Sequence, residues 1–108
     1  MNPGNLFADT VPPVTGERFE ELLSVSGLVV ERIVSSPRIE RQRYVQAQDE
    51  WVVLLRGVAL LEVEGEPVRL GEGDYVFLPA GTPHVVQEVS DGALWLAVHH
   101  HHPAAPPD

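Results

Sequence analysis

Hydrophobic side chains in this sequence recur mainly at every second position, which is the spacing of β-strands. In the segment 58–64, for example, Ala59, Leu61 and Val63 fall on one face. Glycine and proline turns divide the chain beyond Gly27 into eight short segments, which are 28–35, 38–47, 50–56, 58–64, 67–70, 75–78, 84–89 and 93–99. Short strands separated by turns at close intervals predict an all-β sandwich or barrel.

The first 27 residues show a different pattern. Residues 1–15 contain several prolines and no sustained period, and they predict an extended N-terminal arm. Phe19, Leu22 and Leu23 then lie at positions i, i+3 and i+4, which is the spacing of one helix face. The sequence therefore predicts a short helix over about 17–24.

The predicted barrel domain covers residues 16–100, and a different composition follows it. Four consecutive histidines, His99–His102, precede a run rich in proline and alanine, which predicts a disordered tail over 101–108. We expect His99 at the surface, at the end of the last strand. A flexible histidine run binds Ni²⁺ or Zn²⁺ weakly in any chain, so the run is assigned no function.

The segment 50–56 is apolar on both faces. Val52 and Leu54 lie on one side of the predicted strand, and Trp51 and Val53 lie on the other. A second sheet would cover one face, and the other needs the N-terminal arm or a second subunit. Two-fold homodimers are the commonest closed assembly, so a homodimer is the preferred prediction.

Composition excludes several classes of function. The chain has 108 residues and a net charge of -9, with 16 acidic residues against seven basic ones, all arginine. Nucleic acids and anionic membranes are therefore not expected as partners. The chain lacks both cysteine and the apolar run of about 18 residues that a membrane-spanning helix needs. Its first residues do not resemble an export signal, so a cytoplasmic location is expected.

The most informative motif lies around one tight turn. Gly73, Pro79 and Gly81 punctuate the chain so that His84 is the first side chain of a new strand. This spacing resembles the second motif of the cupin superfamily, in which glycine, proline, glycine, histidine and asparagine follow one another at these intervals. Glu88 stands where that motif has its asparagine. The string Tyr-x-Gln-x-x-x-Glu-Trp at 44–51 further resembles that of small single-domain bacterial cupins of unassigned function.

The first cupin motif is only half present. Glu50 and Gly57 have the required separation, but Tyr44 and Gln46 stand where the motif has two histidines, and Arg38 replaces its first glycine. The resemblance implies a cupin-type antiparallel jelly-roll β-barrel with a site at its mouth.

That site has two alternative interpretations. The resemblance implies a divalent metal ion, Zn, Ni, Fe or Mn, held by Gln46, Glu50 and His84. One carboxylate, one imidazole and one amide form a weak donor set for such metals, however. In the alternative, Glu50 and His84 form a buried hydrogen-bonded pair without an ion.

Polar residues on one predicted strand suggest a ligand pocket. Gln42, Tyr44 and Gln46 share one face, and inward-facing glutamines are unusual core residues. We predict that Gln42, Tyr44 and Trp95 line this pocket, unless that strand face is simply exposed to water. The predicted function is small-molecule binding. The alternatives are a metal-dependent enzyme of the isomerase or dioxygenase type, and a regulatory scaffold without a ligand.

Overall fold

The computed structural model describes residues 1–103, and these residues contain nine β-strands. In chain order they are β1 (Glu17–Val25), β2 (Leu28–Ser35), β3 (Arg43–Tyr44), β4 (Asp49–Arg56), β5 (Ala59–Val63), β6 (Glu66–Leu70), β7 (Tyr75–Leu78), β8 (His84–Val89) and β9 (Ala93–His100). The all-β class predicted from the sequence is confirmed. Within these residues the structure contains no helix that could span a membrane.

The strands form two antiparallel sheets. The larger sheet has five strands in the order β1-β2-β9-β4-β7, and the smaller has four in the order β3-β8-β5-β6. Because β9 pairs with both β2 and β4, the end of the domain lies in the middle of the larger sheet. The hydrophobic core includes Leu54 and Trp95 of the larger sheet and Leu61 of the smaller.

Seven of the eight predicted strands recur with bounds close to those predicted. The exception is the segment 38–47, in which only Arg43–Tyr44 pairs as a strand, with β8. Most of this segment is exposed, and it supplies few apolar side chains to pack on a sheet. The Arg41 side chain instead donates a hydrogen bond to the carbonyl oxygen of Gln87 at 3.1 Å, so the segment follows β8 without pairing along its length.

The predicted helix over 17–24 is wrong, because these residues form β1. The β1–β2 hairpin turns at Ser26 and Gly27, which have φ angles of 48° and 81°. Two consecutive positive φ angles favour a tight hairpin turn whose twist matches that of the strands. The register shifts between Glu21 and Leu23, and this bulge accounts for the helix-like spacing of the apolar residues.

The N-terminal arm contacts the outer face of the larger sheet. Arg32, only 4% exposed, donates hydrogen bonds to the carbonyl oxygens of Leu6 and Ala8 and ion-pairs with Glu20 at 2.7 Å. These contacts give partners to both terminal nitrogens of the buried guanidinium group, whereas its Nε has none among the described residues. The arm also reaches the end of the strand 50–56, where the Arg56 guanidinium lies 4.5 Å from the centroid of the Phe7 ring.

The predicted tail begins with ordered contacts. The backbone amide of His101 donates a hydrogen bond to the carbonyl oxygen of Gly27 at 2.7 Å, which continues the pairing of β9 beside the β1–β2 turn. Residues 104–108 of the predicted tail lie outside the described residues.

Candidate functional site

A cavity of about 110 Å³ lies between the two sheets. Its walls are mainly apolar and include Ile33, Val52 and Trp95 of the larger sheet and Leu61 of the smaller. Carboxylate and imidazole groups project into the same space. An apolar cavity with a few converging polar groups is the usual form of a small-molecule site.

Five of the six residues predicted for the site line this cavity. They are Tyr44, Gln46, Glu50, His84 and Trp95. The sixth, Gln42, is exposed and lies in a neighbouring groove.

Trp95 forms a fixed part of the cavity wall. Its indole N–H donates a hydrogen bond to Ser35 Oγ at 3.0 Å, and the Ser35 hydroxyl donates in turn to Glu17 Oε2 at 2.6 Å. The ring is therefore held by a buried hydrogen bond as well as by packing.

The turn before β8 positions His84. The backbone amide of Gly81 donates to the carbonyl oxygen of Gln46 at 2.7 Å, and Thr82 N–H donates to Pro79 at 3.0 Å. Gly81 has a φ of 81°, a conformation that glycine adopts without a Cβ penalty. The motif residues thus fix the entry into β8 and join it to the segment that carries Gln46.

His84 is oriented by two further contacts. Its Nδ1 lies 3.0 Å from the carbonyl oxygen of Thr82, and the Tyr44 ring stacks on the imidazole with centroids 5.7 Å apart. Since a carbonyl only accepts, Nδ1 donates to Thr82, and Nε2 is the ring nitrogen that faces Glu50.

Glu50 faces His84 Nε2 across a gap. Its Oε1 lies 3.9 Å from His84 Nε2, which is too long for a hydrogen bond. The residue is 8% exposed, and within the described part of the chain its carboxylate makes no side-chain hydrogen bond. Burial raises the pKa of Glu50, and the nearby His99 and His84 partly offset this effect. The predicted hydrogen-bonded Glu50–His84 pair is therefore not formed.

Three further polar residues of the cavity were not identified from the sequence. His99 is 8% exposed, not at the surface as expected, and its Nε2 lies 2.8 Å from Glu31 Oε1. This hydrogen bond raises the pKa of His99. Burial raises the pKa of Glu17, and the charge of Glu31 adds to the effect. The signal in the sequence was the alternation of Trp95, Ala97 and His99, which puts His99 on the cavity face.

The donors in the cavity are not gathered into a metal site. Among residues 1–103, no third histidine, aspartate or glutamate places a ligand atom within 4.8 Å of both Glu50 and His84. Gln46 adds only a neutral amide, whereas first-row metals are usually held by several imidazole or carboxylate groups. The predicted set of Gln46, Glu50 and His84 is therefore not completed by a further strong ligand.

The fold is thus that of a small antiparallel β-protein with a cavity between its two sheets. The family model described as "Cupin domain" matches residues 36–100, which include Glu50, His84 and Trp95. The chain belongs to the cupin family, and the resemblance seen in its turn motif is confirmed.

Solved structures and curated relatives extend this comparison. The structure of a Ralstonia eutropha JMP134 protein, provisionally assigned as a mannose-6-phosphate isomerase, is 39% identical, with a TM-score of 0.81 over 94% of this chain and 100% of that one. A Streptococcus pyogenes protein of unknown function has a TM-score of 0.81 at 22% identity, covering 95% of this chain and 90% of that one, and it shows the fold alone.

Curated relatives match over a shorter region. An oxalate decarboxylase of Bacillus subtilis strain 168 is 31% identical over 67 residues, which are 57% of this chain and 17% of the relative. An uncharacterised protein of Aquifex aeolicus strain VF5 is 34% identical over 59 residues, or 55% of this chain and 49% of the relative. The chain thus spans about half or less of the curated relatives that it matches.

Proposed function

We propose that the protein binds a small, mostly apolar molecule at the mouth of a cupin jelly-roll barrel, and that this molecule presents a hydroxyl or amine group to Glu50 and His84. The observation that carries the proposal is the 3.9 Å gap between Glu50 Oε1 and His84 Nε2 inside an apolar cavity. The proposal needs no metal ion, since no third imidazole or carboxylate among residues 1–103 places a ligand atom within 4.8 Å of both groups.

Glu50 Oε1 and His84 Nε2 leave room for one ligand group between them. They are too far apart to hydrogen-bond to each other, and neither is a fully enclosed atom, so both are open to the cavity. A ligand hydroxyl or amine can donate to the Glu50 carboxylate, and a hydroxyl can also donate to or accept from His84 Nε2. A hydrogen bond to a charged group contributes about 1.5–3 kcal/mol.

The cavity also limits ligand size and charge. An enclosed engineered cavity of about 150 Å³ in another protein binds benzene. The space here is about 110 Å³ but open on one side, so it suits a ligand with one small ring or short chain, part of which extends out of the mouth. Glu17, Glu31 and Glu50 line the cavity, whereas none of the described arginines does, and the chain has no lysine. Anionic ligands would be repelled, so the ligand is neutral or cationic.

This conclusion differs from the activity provisionally assigned to the Ralstonia relative. Mannose 6-phosphate carries a phosphate group, and proteins bind phosphate through arginine, lysine or backbone amides. The three carboxylates of this cavity disfavour such a substrate. We therefore do not transfer that activity to this chain.

The test compares four ligands that share one ring and differ in the attached group: benzyl alcohol, benzylamine, benzoate and phenyl phosphate. Thermal unfolding with EDTA present should show stabilisation by the alcohol and the amine and none by the two anions, since a ligand that binds only the folded state raises its stability. Glu50→Gln should weaken benzylamine binding at least tenfold.

Glu88→Gln provides the matched control, because Glu88 is exposed and lies on the same strand as His84. Its affinity for benzylamine should equal that of the unmodified protein. Equal binding of the anions, an unchanged affinity in Glu50→Gln, or no binding of any of the four would each reject the proposal. The last result would favour a scaffold without a ligand.

We also propose that the protein is a homodimer through the outer face of its larger sheet. Trp51, Tyr75 and Phe77 form an aromatic patch on β4 and the edge strand β7, beyond the part contacted by the arm. Tyr75 and Phe77 are 65% and 58% exposed, and the Trp51 and Tyr75 rings lie 5.5 Å apart. Exposed apolar patches often mark interfaces, and a second copy presents the same patch.

Phe77→Ser should therefore convert a dimer to a monomer, which sedimentation or light scattering would measure at micromolar concentration. Val58→Ser is the control, because Val58 is 61% exposed but lies outside the patch. A monomeric unmodified protein, or a Phe77→Ser variant that remains dimeric, would contradict this interface.

A further inference from the structure

We propose that Asp49, His100 and His102 form a Zn²⁺ site on the outer face of the larger sheet, separate from the cavity. One ligand atom from each residue lies within 4.8 Å of the others. Among residues 1–103, no other group of three histidine, aspartate or glutamate side chains meets this condition. The site requires neither the proposed ligand nor any residue of the cavity.

The strand register brings these residues together. Asp49, the first residue of β4, pairs directly with His100, the last residue of β9. His102 lies two positions further along the extended chain, so it projects on the same side as His100. The centroids of the His100 and His102 rings are 4.6 Å apart.

One of the two distances from Asp49 already matches a tetrahedral zinc site, and the other is a hydrogen bond that the ion would replace. Asp49 Oδ2 lies 3.5 Å from His100 Nδ1 and 2.7 Å from His102 Nε2. Zinc–ligand bonds of about 2.0–2.1 Å at tetrahedral angles separate neighbouring ligand atoms by about 3.4 Å. Small rotations of the imidazole rings, which are 54% and 53% exposed, would complete the geometry. Water would occupy the fourth position.

Asp49 is already held in place. Its Oδ1 accepts a hydrogen bond from the backbone amide of Ala80 at 2.8 Å, which leaves Oδ2 directed toward the histidines. A bound ion would thus join the segment after β9 to the start of β4 and to the turn before β8. The net charge of -9 also favours association with a cation.

The positions of His99 and His101 distinguish this site from the weak metal binding of any flexible histidine run. His99 is buried beside the cavity, and His101 lies on the side of His99, with their ring centroids 6.4 Å apart. Neither belongs to the group formed with Asp49. A flexible chelating run would use all four histidines equally, whereas a site formed by strand pairing uses two.

The experiment titrates ZnCl₂ into the full chain in competition with a chromophoric chelator. We expect one Zn²⁺ per chain, and at least tenfold weaker binding in Asp49→Asn, His100→Ala and His102→Ala. His101→Ala, which removes a histidine from the same run, should change the affinity less than twofold. All four positions are near the surface, and circular dichroism would verify that the variants are folded.

Two results would overturn the proposal. If His101→Ala weakens Zn²⁺ binding as much as His102→Ala does, the run acts as a flexible chelator. If Glu50→Gln or His84→Ala removes Zn²⁺ while Asp49→Asn does not, the ion lies in the cavity. Ligand binding measured in EDTA is independent of either outcome.

Discussion

Gly57→Ala should lower the free energy of unfolding by about 3 kcal/mol, which is a large part of the stability of a domain this size. Gly57 follows β4 with a φ of 93°, a conformation that other residues rarely adopt. A Cβ at this position would overlap Ser90 Oγ and lie 3.3 Å from Ala93 Cα. Ser90 cannot easily move, because its Oγ accepts a hydrogen bond from the Val58 amide.

Gly65→Ala separates the two contributions to this loss. Gly65 has a φ of 81°, but a Cβ there would meet no atom within 4 Å, so only the backbone cost of about 1 kcal/mol applies. Adding Ser90→Ala to Gly57→Ala should recover part of the difference. Urea unfolding measures all of these variants. If Gly57→Ala and Gly65→Ala lower the free energy of unfolding equally, the close approach to Ser90 and Ala93 does not contribute to the loss.

The strands could be predicted because their signals are local. Alternating side chains and glycine or proline turns lie within a few residues of each other, so most boundaries were correct to within one or two positions. The turn motif ending at His84 is also mainly local. The Thr82 amide donates to Pro79 within the turn, and only the Gly81 amide uses a more distant partner, Gln46.

The N-terminal segment could not be predicted in this way. The spacing of Phe19, Leu22 and Leu23 fits a helix, and only the pairing of β1 with β2 shows that it contains a bulge. The Ser26-Gly27 pair is the local sequence sign of a turn, and both residues have positive φ angles in the structure. A helical spacing that extends over only five residues is weaker evidence for a helix than a turn of this kind is for a hairpin.

The residues of the cavity were also predicted only in part, because some of them meet through contacts that are distant in the sequence. Glu50 and His84 were found because they occupy motif positions, whereas Glu31 and His99 meet only because β9 lies between β2 and β4. That strand order depends on contacts far apart in the sequence. Glu88, at the motif's asparagine position, is exposed because the register of β8 against β5 shifts just before it.

Glu50→Leu should abolish benzylamine binding and at the same time raise the free energy of unfolding at pH 8 by about 1–2 kcal/mol. The reason is that replacing a poorly satisfied buried charge by an apolar side chain of similar size is often stabilising. Burial raises the pKa of Glu50 above its usual value of 4.5, so the folded form binds this proton more tightly than the unfolded form. The unmodified protein therefore loses stability as the pH rises from that value through the raised pKa. The advantage of Glu50→Leu should grow over the same range.

Thermal unfolding at pH 5 and pH 8, with EDTA present, measures this gain, and Glu88→Leu is the exposed control, expected to stay within about 0.5 kcal/mol of the unmodified protein. A carboxylate kept in an apolar cavity at a cost to stability is typical of a site maintained for ligand binding. If Glu50→Leu instead destabilises the fold at pH 8, then buried water satisfies the carboxylate in the free protein, and Glu50 is structural rather than a ligand-binding group.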